Sequence, residues 1–109
     1  MTKKRIVIFA SGRGSNADAI HEAVISGCIN GEIVALVCDI PGASVMDKAK
    51  SWGVPVILAA RREFPSKDAF EQYIIDQIEP FHADLICLAG FMRLLSSDFI
   101  SHYTYRIIN

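Results

Sequence analysis

Arg5-Ile6-Val7-Ile8-Phe9-Ala10-Ser11-Gly12-Arg13-Gly14-Ser15-Asn16 is an apolar run that breaks into a glycine-punctuated turn. The run Arg5–Ala10 has the β-branched, uninterrupted character of a strand buried on both faces of a parallel sheet. A helical pattern begins at about Ser15, so the turn Ser11–Asn16 joins a strand to a helix. Glycine lets the backbone turn sharply and approach a ligand closely, and the free N–H groups and dipole at a helix start attract anions. The turn therefore reads as a phosphate cradle, with Gly12, Gly14, Ser15 and Asn16 as candidate contacts.

The same alternation continues to the end of the chain. Ser15 and Asp18 have the spacing of a capping box, Ile20, Ala23 and Val24 share a helical face, and Gly27 is placed to end the helix. Glu32–Cys38 reads as a second buried strand and Asp39-Ile40-Pro41-Gly42 as a turn. Ala43–Trp52 follows as a helix closed by Gly53, with Val45, Ala49 and Trp52 on one face, and Val54–Leu58 as a short third strand. A polar connection, Ala59–Pro65, leads to a helix starting near Ser66, with Phe70, Ile74 and Ile78 on one face and Pro80 at its end. Asp84–Leu88 is the fourth strand, and Ala89–Leu95 an apolar loop carrying one cation, Arg93. Ser97-Asp98 opens a short helix through about Tyr103, and Arg106-Ile107-Ile108 begins a fifth strand.

Strands separated by such helices form right-handed βαβ units, hence a doubly wound, Rossmann-like parallel sheet of the α/β class. If the order is three-two-one-four-five, strands one and four adjoin where the winding reverses, and ligands bind there beyond the carboxyl ends. The loops at that point are Ser11–Asn16 and Gly90–Leu95. No repeat, low-complexity tract or linker divides the 109 residues, which read as one domain.

Hydrophobic residues make up 51% of the chain and its formal net charge is −1. That is a globular composition without the basic excess of a nucleic-acid or polybasic membrane surface. The basic start Met1–Arg5 runs into an apolar stretch too short for a signal peptide or a membrane span. Cys28, Cys38 and Cys87 are odd in number and widely spaced, which indicates neither a metal site nor a disulfide framework; reduced thiols and a cytoplasmic location are expected.

Which phosphate the cradle holds is open to several readings. Gly12-x-Gly14-x-x-Ala17 satisfies the loose dinucleotide fingerprint, with Asp39 near the end of strand two where an acid would grip a ribose. Ser15 and Asn16 favour a terminal phosphate instead, because a pyrophosphate normally passes over bare backbone. A phosphorylated receiver domain needs paired acids where Ala10-Ser11-Gly12 stand. Ser11 and Ser15 are compatible with a flavodoxin-like module; the sequence offers no obvious aromatic pair to sandwich a flavin, although Trp52 and Tyr103 keep that reading open. A ligand-free strand-to-helix turn is the plain alternative.

Ser11-Gly12-Arg13-Gly14-Ser15-Asn16 after strand one and Leu88-Ala89-Gly90-Phe91-Met92-Arg93-Leu94-Leu95-Ser96 after strand four resemble the folate-dependent phosphoribosylglycinamide formyltransferases of purine synthesis. The likeness runs to the last residue, where Ser101-His102-Tyr103 and Arg106-Ile107-Ile108-Asn109 look like the segment leading into the family's Asn-Ile-His-Pro-Ser motif. The resemblance implies the N-terminal portion of a formyltransferase fold. Gly14, Ser15 and Asn16 would bind the phosphate of glycinamide ribonucleotide, with Gly12 and Gly90 close to that substrate. Met92, Arg93, Leu94, Leu95 and Asn109 would bind 10-formyltetrahydrofolate. Lys67, at the start of the third helix where some relatives carry arginine, would also bind the folate, as a point charge in place of a fork.

The reaction so implied is attack of the glycinamide amine on the formyl carbon, with the Asn109 amide donating to the developing oxyanion. The family's histidine, two residues past that asparagine, and its distant aspartate have no counterpart in this sequence. The resemblance therefore leads us to expect an N-terminal half that is inactive by itself. It implies small-molecule partners, no nucleic acid or membrane, no metal, and allows a homodimer. Formyltetrahydrofolate deformylases and methionyl-tRNA formyltransferases share the folate half, but the Ser-Gly-x-Gly-Ser-Asn loop favours a small phosphorylated substrate and no basic face for tRNA is present. A nucleotide- or flavin-binding module without catalysis is the non-enzyme alternative.

The remaining polar residues read as structural. Asp39 is expected to be a turn residue, Arg61-Arg62 a solvated loop, His21 a solvated helix residue, His82 a helix-end cap and His102 indifferent to function. Met92 and Leu95 would be core residues in most proteins.

Overall fold

The computed structural model describes residues 3–109; Met1 and Thr2 of the basic N-terminal run lie outside the described residues. In chain order the elements are β1 (Lys4–Ala10), α1 (Ser15–Ile25), β2 (Gly31–Cys38), α2 (Ser44–Ser51), β3 (Val56–Leu58), α3 (Lys67–Ile78), β4 (Leu85–Leu88), α4 (Ser97–His102) and β5 (Ile107–Ile108). Single 3-10 turns occur at Arg61–Glu63 and Glu79–Phe81. Every strand pairing is parallel and the order is β3-β2-β1-β4-β5, the doubly wound arrangement expected from the alternation of patterns.

β1 is the middle strand, laddered to β2 on one edge and β4 on the other. Its alternate side chains enter different layers, as the period of two along a strand requires. Val7 and Phe9 join the core made with Phe70, Ile74 and Ile78 of α3 and Phe99 of α4. Ile6, Ile8 and Ala10 join the opposite layer with Ala17 of α1 and Val45 and Ala49 of α2. β2 carries a discontinuity that its uniformly apolar sequence does not reveal. Ile6 pairs with Ile33 but Val7 pairs with Ala35, so Val34 is an extra residue. This bulge resets the alternation and lets Ile33 and Leu36 share the α1–α2 layer.

The helix ends correct two local expectations. α1 is entered through Gly14, in the left-handed conformation at φ 84, and no side-chain cap bond forms there, so the expected Ser15–Asp18 capping box is absent. Ser15 already lies inside the helix, and Asp18 is drawn to α2, where its carboxylate meets Lys48 Nζ at 2.5 Å. Ser66 and Ser96 do cap, accepting hydrogen bonds from the N–H groups of Ala69 and Phe99. His21 is half-buried, not freely solvated: its ring stacks on Trp52 with centroids 4.0 Å apart, because the packing of α1 beside the end of α2 brings them together. At His82 the backbone N–H, donating to the Glu79 carbonyl, makes the cap.

Two consequences are measurable. An added Cβ at Gly14 would sit 2.5 Å from Val45 Cγ2, at a positive φ. Gly14→Ala is expected to cost about 2 kcal/mol in urea unfolding, and a second change, Val45→Ala, to recover part of the loss by clearing the clash. The Tyr103 hydroxyl is buried without a hydrogen-bond partner among the described residues. Burial, helped by Glu79 and Asp76 and opposed by Arg106, pushes its pKa up to about 12. Below the unfolded pKa of about 10 both states are neutral; above it the unfolded chain ionises first, so stability falls as pH rises toward the folded value. Tyr103→Phe should flatten that alkaline loss and change stability at neutral pH by no more than about 1 kcal/mol.

Candidate active site at the carboxyl ends of the strands

The parallel order sets the carboxyl ends of β1, β2 and β4 side by side, so the segments that follow them converge. In the turn after β1, the Gly12 carbonyl accepts the Val45 N–H at 3.1 Å and the Gly14 carbonyl accepts the Asp18 N–H at 2.8 Å. These bonds tie the turn to the starts of α2 and α1. The first N–H groups of α1 have no acceptor within the helix, and the Ser15 and Asn16 side chains beside them are exposed. These are groups able to donate hydrogen bonds to an anion. Gly12 differs from Gly14: it needs no positive φ, and a Cβ there would meet nothing within 4 Å, so what it contributes is open space above the turn.

A cleft of about 500 Å³ brings Asn16, Gly90 and Asn109 together, with Leu88, Ala89 and Ile108 among its walls. Asn109 reaches it because Ile107 and Ile108 pair with Ile86 and Cys87 of β4. Gly90 is left-handed at φ 76, and a Cβ on it would lie 3.7 Å from Asn16 Nδ2, so the loop after β4 passes close to that amide. A second cleft, about 270 Å³, brings Lys67 and Arg61 to Met92, Arg93 and Leu94. Met92 is no core residue: it is 79% exposed, and Leu94 is 84% exposed. Leu95 packs against the α3-side core, which commits its side chain to the fold. Arg61, expected to be solvated, is half-buried and donates to the Phe64 carbonyl at 3.2 Å, whereas Arg62 is exposed.

Two acids that looked unremarkable in the sequence are buried here. Asp39 is 2% exposed and is not a free turn residue. Its Oδ1 accepts the Ser11 hydroxyl at 2.6 Å and its Oδ2 accepts Arg93 Nε–H at 2.9 Å, while Ser11 Oγ accepts the Met92 N–H at 2.8 Å. A carboxylate leaves water only when paired and hydrogen-bonded, and these bonds meet that requirement. With both oxygens engaged, Asp39 is not placed to hold a ribose, which removes a support of the dinucleotide reading. Glu71 of α3 is likewise buried; it accepts the Ser96 N–H at 2.8 Å and the Ser96 hydroxyl at 2.5 Å. Burial also pushes the Cys38 and Cys87 thiols up, whereas Cys28 is exposed.

Residues 4–109 match the family model described as "Formyl transferase". The chain is 37% identical over 106 residues to a phosphoribosylglycinamide formyltransferase of Bacillus subtilis (strain 168), covering 97% of this chain and 54% of that protein. It is 35% identical over 104 residues to the Escherichia coli (strain K12) protein of the same name, covering 95% of this chain and 49% of that one. A solved structure of phosphoribosylglycinamide formyltransferase from Brucella melitensis superposes with a TM-score of 0.93 at 40% identity, over 97% of this chain and 55% of that chain. The chain thus spans about half the length of the curated relatives it matches. In sequence and in its five-stranded parallel sheet, this chain belongs to the formyl transferase family.

Proposed function

We propose that the chain carries the phosphate cradle, the folate loop and the asparagine of an enzyme that transfers a formyl group from 10-formyltetrahydrofolate to the amine of glycinamide ribonucleotide. The supporting observation is the shared cleft of Asn16, Gly90 and Asn109, which come from α1, the loop after β4 and the end of β5. In this reading Ser15, Asn16 and the first N–H groups of α1 hold the ribosyl phosphate, and the helix dipole favours its charge. Gly90 permits close backbone approach. Met92 and Leu94 offer exposed apolar surface to the folate, and Lys67 offers a positive charge to a carboxylate. Arg93 contributes with its Nε already engaged by Asp39.

The Asn109 side-chain amide donates a hydrogen bond to the formyl oxygen, where negative charge develops as the amine attacks. Losing a donor of this kind raises a barrier by roughly 3–4 kcal/mol. The substrates are small molecules and the proposed location is the cytoplasm; no helix among the described residues is long and apolar enough to cross a membrane.

Calorimetric titration separates this from the nucleotide and flavin readings. Glycinamide ribonucleotide is expected to bind, with affinity reduced at least about tenfold by Asn16→Asp, which sets a like charge against the phosphate. NAD and FMN are expected to give no saturable heat. Saturable binding of NAD or FMN with no response to glycinamide ribonucleotide would overturn the proposal.

A further inference from the structure

We propose that Asp39 is a positioning residue whose buried carboxylate, through Arg93 and Ser11, holds the Met92–Leu94 segment in place, while the phosphate turn from Gly12 to Asn16 stands without its help. Naming the two ligands rests on the function proposed above; the geometry does not.

The segment has little else to hold it. The loop leaves β4 with the Ala89 N–H still donating to the Phe9 carbonyl at 2.8 Å, and order resumes at Ser96, bound to Glu71 and capping α4. Phe91 packs edge-on against Phe9, with centroids 5.3 Å apart. Met92–Leu94 then has neither ladder nor helix, and its two apolar side chains stand in solvent. Its polar tethers among the described residues are Met92 N–H to Ser11 Oγ and Arg93 Nε–H to Asp39 Oδ2.

Both tethers run to one carboxylate. A hydroxyl has a single hydrogen, and because Asp39 Oδ1 takes that of Ser11, a lone pair of the oxygen is left for the Met92 N–H. The phosphate turn, by contrast, has its own anchors in the Gly12 carbonyl on Val45 N–H, the Gly14 carbonyl on Asp18 N–H, and the packing of Gly14 on Val45. Loss of the carboxylate also leaves no buried charge stranded. The Arg93 side chain is 42% exposed against 1% for Asp39, so the guanidinium can move into water.

Three substitutions take the arrangement apart differently. Asp39→Ala removes the Arg93 bond and deprives the Ser11 hydroxyl of the acceptor that keeps its lone pair turned to Met92. Asp39→Asn keeps an acceptor for Ser11 but faces Arg93 with a second donor, and so removes only the Arg93 bond. Ser11→Ala removes the Met92 bond and leaves the Arg93 pair. Amide hydrogen exchange on the ligand-free protein reads the outcome. In Asp39→Ala and Ser11→Ala the Met92 amide should exchange about tenfold faster, with the Val45 and Asp18 amides of the phosphate turn changed less than about twofold.

In Asp39→Asn the Met92 amide should be less affected. Equal acceleration of both regions, or none at Met92, would overturn the proposal. If Asp39→Ala does not fold, the same comparison in Ser11→Ala and Asp39→Asn decides. In binding measurements, 10-formyltetrahydrofolate affinity should fall about tenfold in Asp39→Asn while glycinamide ribonucleotide affinity stays within about twofold; equal losses would count against it. If the unmodified protein binds neither ligand yet the exchange pattern holds, the proposed function fails and the positioning role stands.

Discussion

Parallel pairing of β1 along both of its edges is the constraint on which the rest of the structure depends. A parallel neighbour cannot be reached by a tight turn, so each pairing requires a crossover that carries a helix across a face of the sheet. With right-handed crossovers, the chain covers one face on its way outward to β3 and the other on its way from β3 through β4 to β5. β1 is thereby buried on both sides, which is why Ile6–Ala10 are all apolar. The reversal of winding between β1 and β4 crowds the segments after β1, β2 and β4 at one end.

That crowding creates a problem that buried acids resolve. Loops carry backbone N–H groups without ladder partners, and where they are partly buried they need acceptors from the protein. Glu71 takes the N–H and hydroxyl of Ser96 directly, while Asp39 acts at one remove, holding Arg93 and the Ser11 hydroxyl whose oxygen accepts the Met92 N–H. The groups proposed to meet ligand, Ser15, Asn16, Lys67, Met92, Leu94 and Asn109, are the exposed ones around them. Support and contact are thus divided between different residues.

Much of this was legible before the structure. The strand and helix segments, the strand order and the two loops at the switch point follow from apolar periodicity, turn residues and the handedness of βαβ units. The start of α3 near Ser66 and Pro80 near its end were readable for the same local reason. Other features resisted. Asp18 had the spacing of a capping box, yet a lysine thirty positions away, Lys48, claims its carboxylate. His21 reads as polar surface until Trp52 is placed beside it. Glu71 falls three and seven residues before Ile74 and Ile78, beside the apolar face of α3, but the period of the helix does not show the Ser96 N–H and hydroxyl that hold it there.

Sequence by itself determined the alternating elements, the glycine-broken turn and the identity of the residues available to hold an anion, since propensity, periodicity and turn chemistry act over a few neighbouring residues. Tertiary structure alone decided the bulge at Val34, the burial of Asp39 and its grip on Ser11 and Arg93, and the meeting of Asn16, Gly90 and Asn109 in one cleft. Each of these depends on which distant segments strand pairing brings within a few ångströms, and no local pattern carries that information.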